Sequence, residues 1–395
     1  MSNTQLNKND ILALDSEYIA HTYARFPVAL THGEGSLLYD ADGREYIDLG
    51  TGIAVNTFGA ADSEWIEAVT SQLSKLAHTS NLYYTEPQAK LAELLCKRTG
   101  MKRVFFANSG AEANECAIKC ARKYAADKKG KEYYNIITLK NSFHGRTVTT
   151  LAATGQDVFH QDFTPLTDGF LYAEANNIDS VKALLSENKC AAVMLECVQG
   201  EGGVMPMERS FMSELSELCE ESDVLLVIDE VQTGNGRCGE LYAYMHYGVS
   251  PDIVTTAKGL GGGLPIGACM FSEKVKDTLS YGQHGSTFGG NPVCAAGAFN
   301  ILSRIDDELL SSVREKSKFI IGFLSNVKGV KSVSGLGLML GIETEKNAKD
   351  VVTKLIDRGV LVLTAKSKIR LLPALNIPMD QLTKALNNIK EVIEE

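Results

Sequence analysis

Between about residue 61 and residue 297, short and almost wholly apolar runs alternate with longer stretches in which apolar residues recur at helical spacing. The runs Val104–Ala107, Tyr134–Thr138, Ala191–Glu196, Val224–Asp229 and Ile253–Thr256 predict strands. Strands apolar on both faces suit a mostly parallel sheet covered by helices on each side. In such sheets ligands bind at the C-terminal strand ends. Residues 1–60 read differently, as a helix and then a short β-meander with Asp42-Gly43 in its hairpin turn. After residue 298 helices alternate with pairs of short strands. One helix, Asn347 to Arg358, turns Ala348, Val351, Val352, Leu355 and Ile356 inward and stops at Gly359. The last carries Met379, Leu382, Leu386, Ile389 and Val392 on one stripe. The expectation is an α/β chain in three parts: an N-terminal segment 1–60, a large domain 61–297 and a smaller α+β domain 298–395.

The length of 395 residues favours more than one core. A net charge of −10 argues against a partner such as nucleic acid, whose phosphates attract basic domains. No apolar run approaches the ~18 residues of a membrane span, and Met1 to Asp15 shows neither a signal peptide nor a transit pattern. The nine cysteines include no CxxC pair and read as reduced structural thiols. A cytoplasmic protein is expected.

The predicted strand ends carry the chemistry. Asp229 closes the run Val224–Ile228, and Lys258 follows the last strand and opens the glycine-rich stretch Gly259–Gly263. A lysine amine beside permissive backbone, with a carboxylate at a neighbouring strand end, is the pairing that pyridoxal 5′-phosphate requires. The amine condenses with the cofactor aldehyde, and the carboxylate keeps the pyridine nitrogen protonated. Val104–Ala107 runs into Asn108-Ser109-Gly110-Ala111-Glu112, where Ser109 and Glu112 make a capping-box pattern. The free N–H groups of such a helix start suit a phosphate, with Ser109, Gly110 and Ala111 as the candidates. Phe143 could stack on the pyridine ring, and Arg146 could hold a substrate carboxylate through its planar fork of donors. His144 is given no catalytic role. After Asp229, Val231 would pack beneath the ring and Gln232 would reach the ring hydroxyl. Glu196 and Glu201 lie just before the pair Gly202-Gly203. They could be an acid/base pair or a solvated loop, or Glu201 could mask an arginine. In His284–Pro292, Thr287 is a candidate for phosphate and Ser286 for substrate. Gly234–Gly239 spells GxGxxG but sits away from its strand end and lacks the later acid of a dinucleotide site, so it reads as a turn.

Taken in order, Asn108–Glu115, Phe143–Thr147, Gln199–Val204, Asp229–Gly234, Thr256–Gly263 and Ser286–Pro292 make the chain resemble the class III aminotransferases, the ornithine aminotransferase-like group of fold type I pyridoxal phosphate enzymes. The resemblance runs over nearly the whole chain. It implies a seven-stranded, mostly parallel sheet and a homodimer with shared active sites, in which Thr287 reaches the phosphate of the partner's cofactor. It also implies Arg370 as the arginine that Glu201 masks. The segments Tyr23–Pro27, Gly52–Asn56, Ser80–Tyr84 and Leu372–Asn376 narrow it to members that take N2-acetyl-L-ornithine and 2-oxoglutarate in arginine biosynthesis. They add Tyr23 to the substrate candidates. Ornithine-specific members usually carry tyrosine at the position of Gly52. The chain departs from the family in lacking a histidine-rich turn at Phe58–Asp62 and in having Cys197 where proline is common. Related transaminases of succinylornithine, ornithine, 4-aminobutyrate or succinyl-diaminopimelate, and more distantly an aminomutase, share the same signature.

Overall fold

A computed structural model describes residues 6–395; the first five residues of the expected N-terminal segment lie outside the described part. Seven strands form the central sheet: β1 (Arg103–Ala107), β2 (Asn135–Leu139), β3 (Phe170–Ala173), β4 (Cys190–Glu196), β5 (Leu225–Asp229), β6 (Ile253–Thr256) and β7 (Gly267–Phe271). Their order is β1-β7-β6-β5-β4-β2-β3, with β7 antiparallel to both neighbours and the remaining pairs parallel. Successive residues of the inner strands enter opposite cores, as the two-residue period of a strand requires. Ile137, Val193, Leu195, Leu226, Ile228 and Val254 face one side, while Ile136, Ala192, Met194, Leu225, Val227 and Ile253 face the helix Gly110–Lys128 on the other. Double burial is why these strands are legible as unbroken apolar runs.

Two strands escape that reading. Phe170–Ala173 is an edge strand and is only partly buried over its first three residues. Gly267–Phe271 follows a glycine-rich loop and Pro265, so its sequence looks like a continuation of that loop.

The helix Lys8–Tyr18 and a meander of Leu30–Glu34, Leu37–Asp40 and Glu45–Asp48 fill the N-terminal segment. The turn at Asp42-Gly43 is closed by the Gly43 N–H on Asp40 O, with Gly43 at φ +80°. This meander does not stand apart. Val360–Leu361 pairs with Glu45–Asp48, and Tyr46, Ile47 and Leu49 share a core with Val351, Leu355, Leu382 and Ile389. The C-terminal unit adds an antiparallel sheet ordered Val330–Leu336, Met339–Thr344, Lys368–Leu371 and Leu363–Ala365.

The expected boundary at 297/298 falls inside the helix Pro292–Arg304, which packs on the helices Ser63–Lys75 and Glu86–Thr99. Its buried Ala295, Ala298 and Ile301 tie it to the large unit. The chain changes core within the next helix, Asp307–Leu324, between Leu310 and Val313. We therefore propose that division between the large and small domains. Among the described residues no helix is long and apolar enough to cross a membrane. The nine cysteines are free.

Candidate active site

Asp229 ends β5 level with Glu196 on β4 and Thr255 on β6. Its carboxylate is buried and held by three donors. Oδ1 accepts the Val231 N–H at 3.0 Å, and Oδ2 accepts His144 Nδ1 and Asn114 Nδ2, each at 2.8 Å. Asn114 stands one turn into the helix Gly110–Lys128. It is itself fixed by Thr255 Oγ1, which donates to Asn114 Oδ1 at 2.6 Å, and by its second bond to His144 O. Three donors hold one carboxylate oxygen pair in a single orientation while one lone-pair direction stays open to the cavity. His144 Nε2 is buried and finds no partner among the described residues. Thus His144 orients Asp229. Sequence reasoning assigns this task to neither His144 nor Asn114, although a polar Asn114 on an otherwise small and apolar helix face is the available signal.

Lys258 opens a 3₁₀ turn after β6, with its backbone in the left-handed region at φ +46°. A lysine held there is strained by of order 1–3 kcal/mol and persists only where its surroundings fix it. Burial lowers its amine to about 8; Glu201 opposes that shift and Arg370 adds to it. Lys258, Asp229 and Glu196 line one cavity of about 480 Å³ together with Ser109, Gly110, Ala111, Phe143, Arg146, Val231 and Gln232.

At its far wall the helix Gly110–Lys128 begins. Ser109 Oγ accepts the Glu112 N–H at 3.2 Å. The reciprocal half of the box shifts by one residue, because Glu112 Oε2 takes the Asn108 N–H at 2.6 Å. The N–H groups of Gly110 and Ala111 have no acceptor among the described residues. Gly110 is required here, since a Cβ would come within 2.7 Å of Val231 Cγ1. The close approach sets the helix start directly against the end of β5.

The two acids before the glycines play different parts. Glu196 accepts the Phe143 N–H at 3.0 Å, and burial together with Asp229 raises its pKa well above the ordinary carboxylate value. Glu201 pairs with Arg370, Oε1 to Nη1 at 2.7 Å, and also accepts Gln232 Nε2 at 3.1 Å. Burial alone would raise Glu201, but the Arg370 charge and hydrogen bond bring it below the usual range. Of the three readings open for Glu201, the masking of an arginine is the one this geometry matches. Arg370 comes from the strand Lys368–Leu371 of the C-terminal unit, so the site is completed across the two cores. Gln232 is engaged with this pair.

Arg146 has no carboxylate within 4.0 Å among the described residues and is exposed at the cavity mouth. Its guanidinium lies 3.8 Å from the Phe159 ring centroid and 5.5 Å from that of Phe143.

Five expected residues lie outside the lining of this cavity: Glu201 and Arg370, which meet it through Gln232, and Tyr23, Ser286 and Thr287. Tyr23 is exposed on the N-terminal segment. Ser286 Oγ accepts from Asn108 Nδ2 and from the Gly289 N–H, which makes it a loop anchor, and Thr287 beside it is exposed. Gly234–Gly239 is a buried set of turns, and its Arg237 bonds to main-chain oxygens of Leu338 and Pro373. Cys197 is buried in van der Waals range of Glu230, away from the cavity lining.

The donor set fits pyridoxal 5′-phosphate. It offers an amine of lowered pKa, a rigidly held carboxylate, unpaired N–H groups at a helix start, and the apolar Phe143 and Val231 between them. The family model for class III aminotransferases matches residues 18–393. The chain belongs to the class III aminotransferases. Among similar proteins of this family is an acetylornithine aminotransferase of Haemophilus ducreyi, 51% identical over 99% of this chain and 100% of its own length. Another is that of Methanocaldococcus jannaschii, 43% identical over 99% of each. An ornithine aminotransferase structure from Toxoplasma gondii, described with pyridoxal phosphate at partial occupancy in its active site, superposes with a TM-score of 0.94 at 30% identity, covering 99% of this chain and 95% of that one. As a class III aminotransferase, the chain uses pyridoxal 5′-phosphate as its cofactor.

Proposed function

We propose that this aminotransferase moves the terminal amino group of N2-acetyl-L-ornithine to 2-oxoglutarate, in a two-stage ping-pong cycle that serves arginine biosynthesis. The observation that carries the proposal is the unequal treatment of two arginines, Arg146 open and Arg370 masked by Glu201. A donor that offers its terminal amine brings one distant carboxylate and needs one arginine. 2-Oxoglutarate has a carboxylate at each end and needs two. Glu201 neutralises Arg370 in the first stage and yields it to the substrate in the second.

When bound, pyridoxal phosphate supplies the aldehyde that carries the amino group between stages and a ring that accepts electrons from the substrate carbon. Lys258, Asp229, Phe143, Val231 and the helix start at Ser109–Ala111 would hold it, and Gln232 would turn from the Glu201–Arg370 pair to reach a ring substituent. Lys258 Nζ takes the proton from the amine-bearing carbon of the donor in the first stage and supplies one to the former keto carbon of the acceptor in the second, a role that suits an amine lowered to about 8. Asp229, oriented by His144 and Asn114, would accept from the ring nitrogen. Arg146 orients both substrates by their remote carboxylates.

Gly52 supports an acylated donor. A Cβ there would meet, among the described residues, Val55 Cβ alone, at 3.8 Å, and Val55 lines the cavity, so the turn carries no bulk beside that lining. That turn, Thr51 to Ala54, is left-handed, with φ between +47° and +64°. It is held by Asp48 Oδ1 on the Gly50 and Thr51 N–H groups and by Thr51 Oγ1 on Leu372 O.

A cytoplasmic homodimer completes the proposal. The free cysteines support the compartment. The exposed run Leu82-Tyr83-Tyr84 supports a second copy, being tied by Asn81 Nδ2 to the loop that bears Ser286 and Thr287. In such a dimer Thr287 would serve the partner's cofactor phosphate. The deciding experiment ranks kcat/KM for N2-acetylornithine, succinylornithine, ornithine, 4-aminobutyrate and succinyl-diaminopimelate with 2-oxoglutarate. A preference for another donor over acetylornithine overturns the assignment, and turnover without any keto-acid acceptor would indicate an aminomutase.

A further inference from the structure

The two arginines are held by different kinds of partner, and the difference is informative. Arg370 is clamped by a carboxylate that must leave before a substrate can bind. Arg146 is clamped by an aromatic face. Its guanidinium carbon sits 3.8 Å from the Phe159 ring centroid, while Phe159 meets Phe143 edge-on with centroids 6.0 Å apart. Stacking through the face of the guanidinium uses none of its five N–H donors and leaves its charge unneutralised. A carboxylate partner would do the opposite on both counts.

The segment carrying Phe159 is itself fixed. Gln156 Nε2 donates to Ser142 O at 3.0 Å, the Phe159 N–H closes a turn on Gln156 O, and His160 bonds to Leu151 O at 2.9 Å. Ser142 immediately precedes Phe143. The ring is therefore referenced to the same strand end that positions Phe143 and Arg146.

We infer that Phe159 is the positioning residue that holds the Arg146 fork open for the remote carboxylate of both substrates. The inference rests on the reading of Arg146 as the carboxylate anchor. An arginine needed in both stages is braced by a ring that never competes with substrate. The one needed in a single stage is braced by an acid that does.

The test compares Phe159→Leu, Phe159→Tyr and Arg146→Met, each alone, and Phe159→Leu combined with Arg146→Met. KM and kcat are measured for both half-reactions, and glutarate, a dicarboxylate without a reactive carbonyl, is titrated onto the holoenzyme. Losing one cation–π contact predicts KM for both substrates and the glutarate Kd raised roughly 3- to 10-fold in Phe159→Leu, with kcat within about twofold. Phe159→Tyr keeps the face and stays near wild type, which also guards against a folding defect in the leucine variant. In the Arg146→Met background the leucine substitution has no further effect. If Phe159→Leu binds glutarate like wild type while Arg146→Met does not, the role of Phe159 is overturned and that of Arg146 stands. The role of Phe159 is overturned equally if the leucine effect persists in full without Arg146. If Arg146→Met leaves every KM unchanged, the underlying reading of Arg146 fails instead.

Discussion

Replacing Glu201 by Gln should separate the two stages of the reaction. The carboxylate lies 2.7 Å from Arg370 Nη1, the Arg370 side chain is only 4% exposed, and Gln232 holds Glu201 from the other side. A hydrogen bond to a charged group contributes about 1.5–3 kcal/mol, with the carboxylate–guanidinium pair toward the upper end of that range and an amide–guanidinium pair toward the lower. An amide keeps the volume and a weaker bond, so the acid's competition with an incoming carboxylate falls by about 1–1.5 kcal/mol. At 1.4 kcal/mol per decade this lowers KM for 2-oxoglutarate roughly 5- to 12-fold. The single-carboxylate donor gains nothing comparable, because Arg370 is not its anchor.

A second effect is read in the same experiment. The Glu201 charge raises the Lys258 amine, so its loss takes Lys258 below about 8, and the rise in rate with pH moves to lower pH. Each half-reaction is followed separately by cofactor absorbance after rapid mixing, across pH 6–9. An unchanged KM for 2-oxoglutarate, or equal changes in both halves, would remove the mask from the mechanism.

Three further outcomes are expected. Lys258→Ala abolishes steady-state turnover; borohydride reduction of the wild-type holoenzyme and peptide mapping should label the peptide that bears Lys258 and no other. Asn114→Ala strips one of three donors from the buried Asp229 carboxylate, a loss of about 1.5–3 kcal/mol in that contact. It should weaken cofactor retention at least tenfold, measured by fluorescence titration of the cofactor-free protein, without displacing the labelled lysine. Glu230, fully buried behind Asp229 and bonded to Thr233 Oγ1 and the Tyr244 N–H, is raised to about 7 chiefly by burial. The folded state then holds this proton through pH values at which the unfolded chain has released it. Its stabilisation is complete below about 4.5 and is lost as pH rises through about 7, a fall of about 3 kcal/mol. In Glu230→Gln that part of the slope should vanish in denaturant unfolding measured between pH 5 and 8.

Four of the seven sheet strands are legible because burial on both faces leaves an unbroken apolar run; the edge strand Arg103–Ala107 is legible from its apolar run Val104–Ala107 although only partly buried, while the other edge strand and the strand behind glycines lack that signature. The same logic divides the site. Lys258, Asp229 and Ser109 each follow a readable strand, and a strand end is where local sequence announces chemistry. Asn114, His144, Glu196 and Phe159 act through contacts to residues 30 to 115 positions away or through a ring face, and neighbouring sequence carries no trace of such partners. The sequence by itself determined the type of sheet, the lysine–carboxylate pair and the family motifs, since these depend on residue type and on spacing along one chain. The family resemblance also implied that Glu201 masks Arg370; only the tertiary structure decided that the N-terminal meander joins the C-terminal core and that Arg146 rests on a ring. The first is a contact between segments far apart in sequence, made by the packing of the C-terminal core; the second is set by the local bonds that fold residues 156–160 back against Ser142 and Leu151.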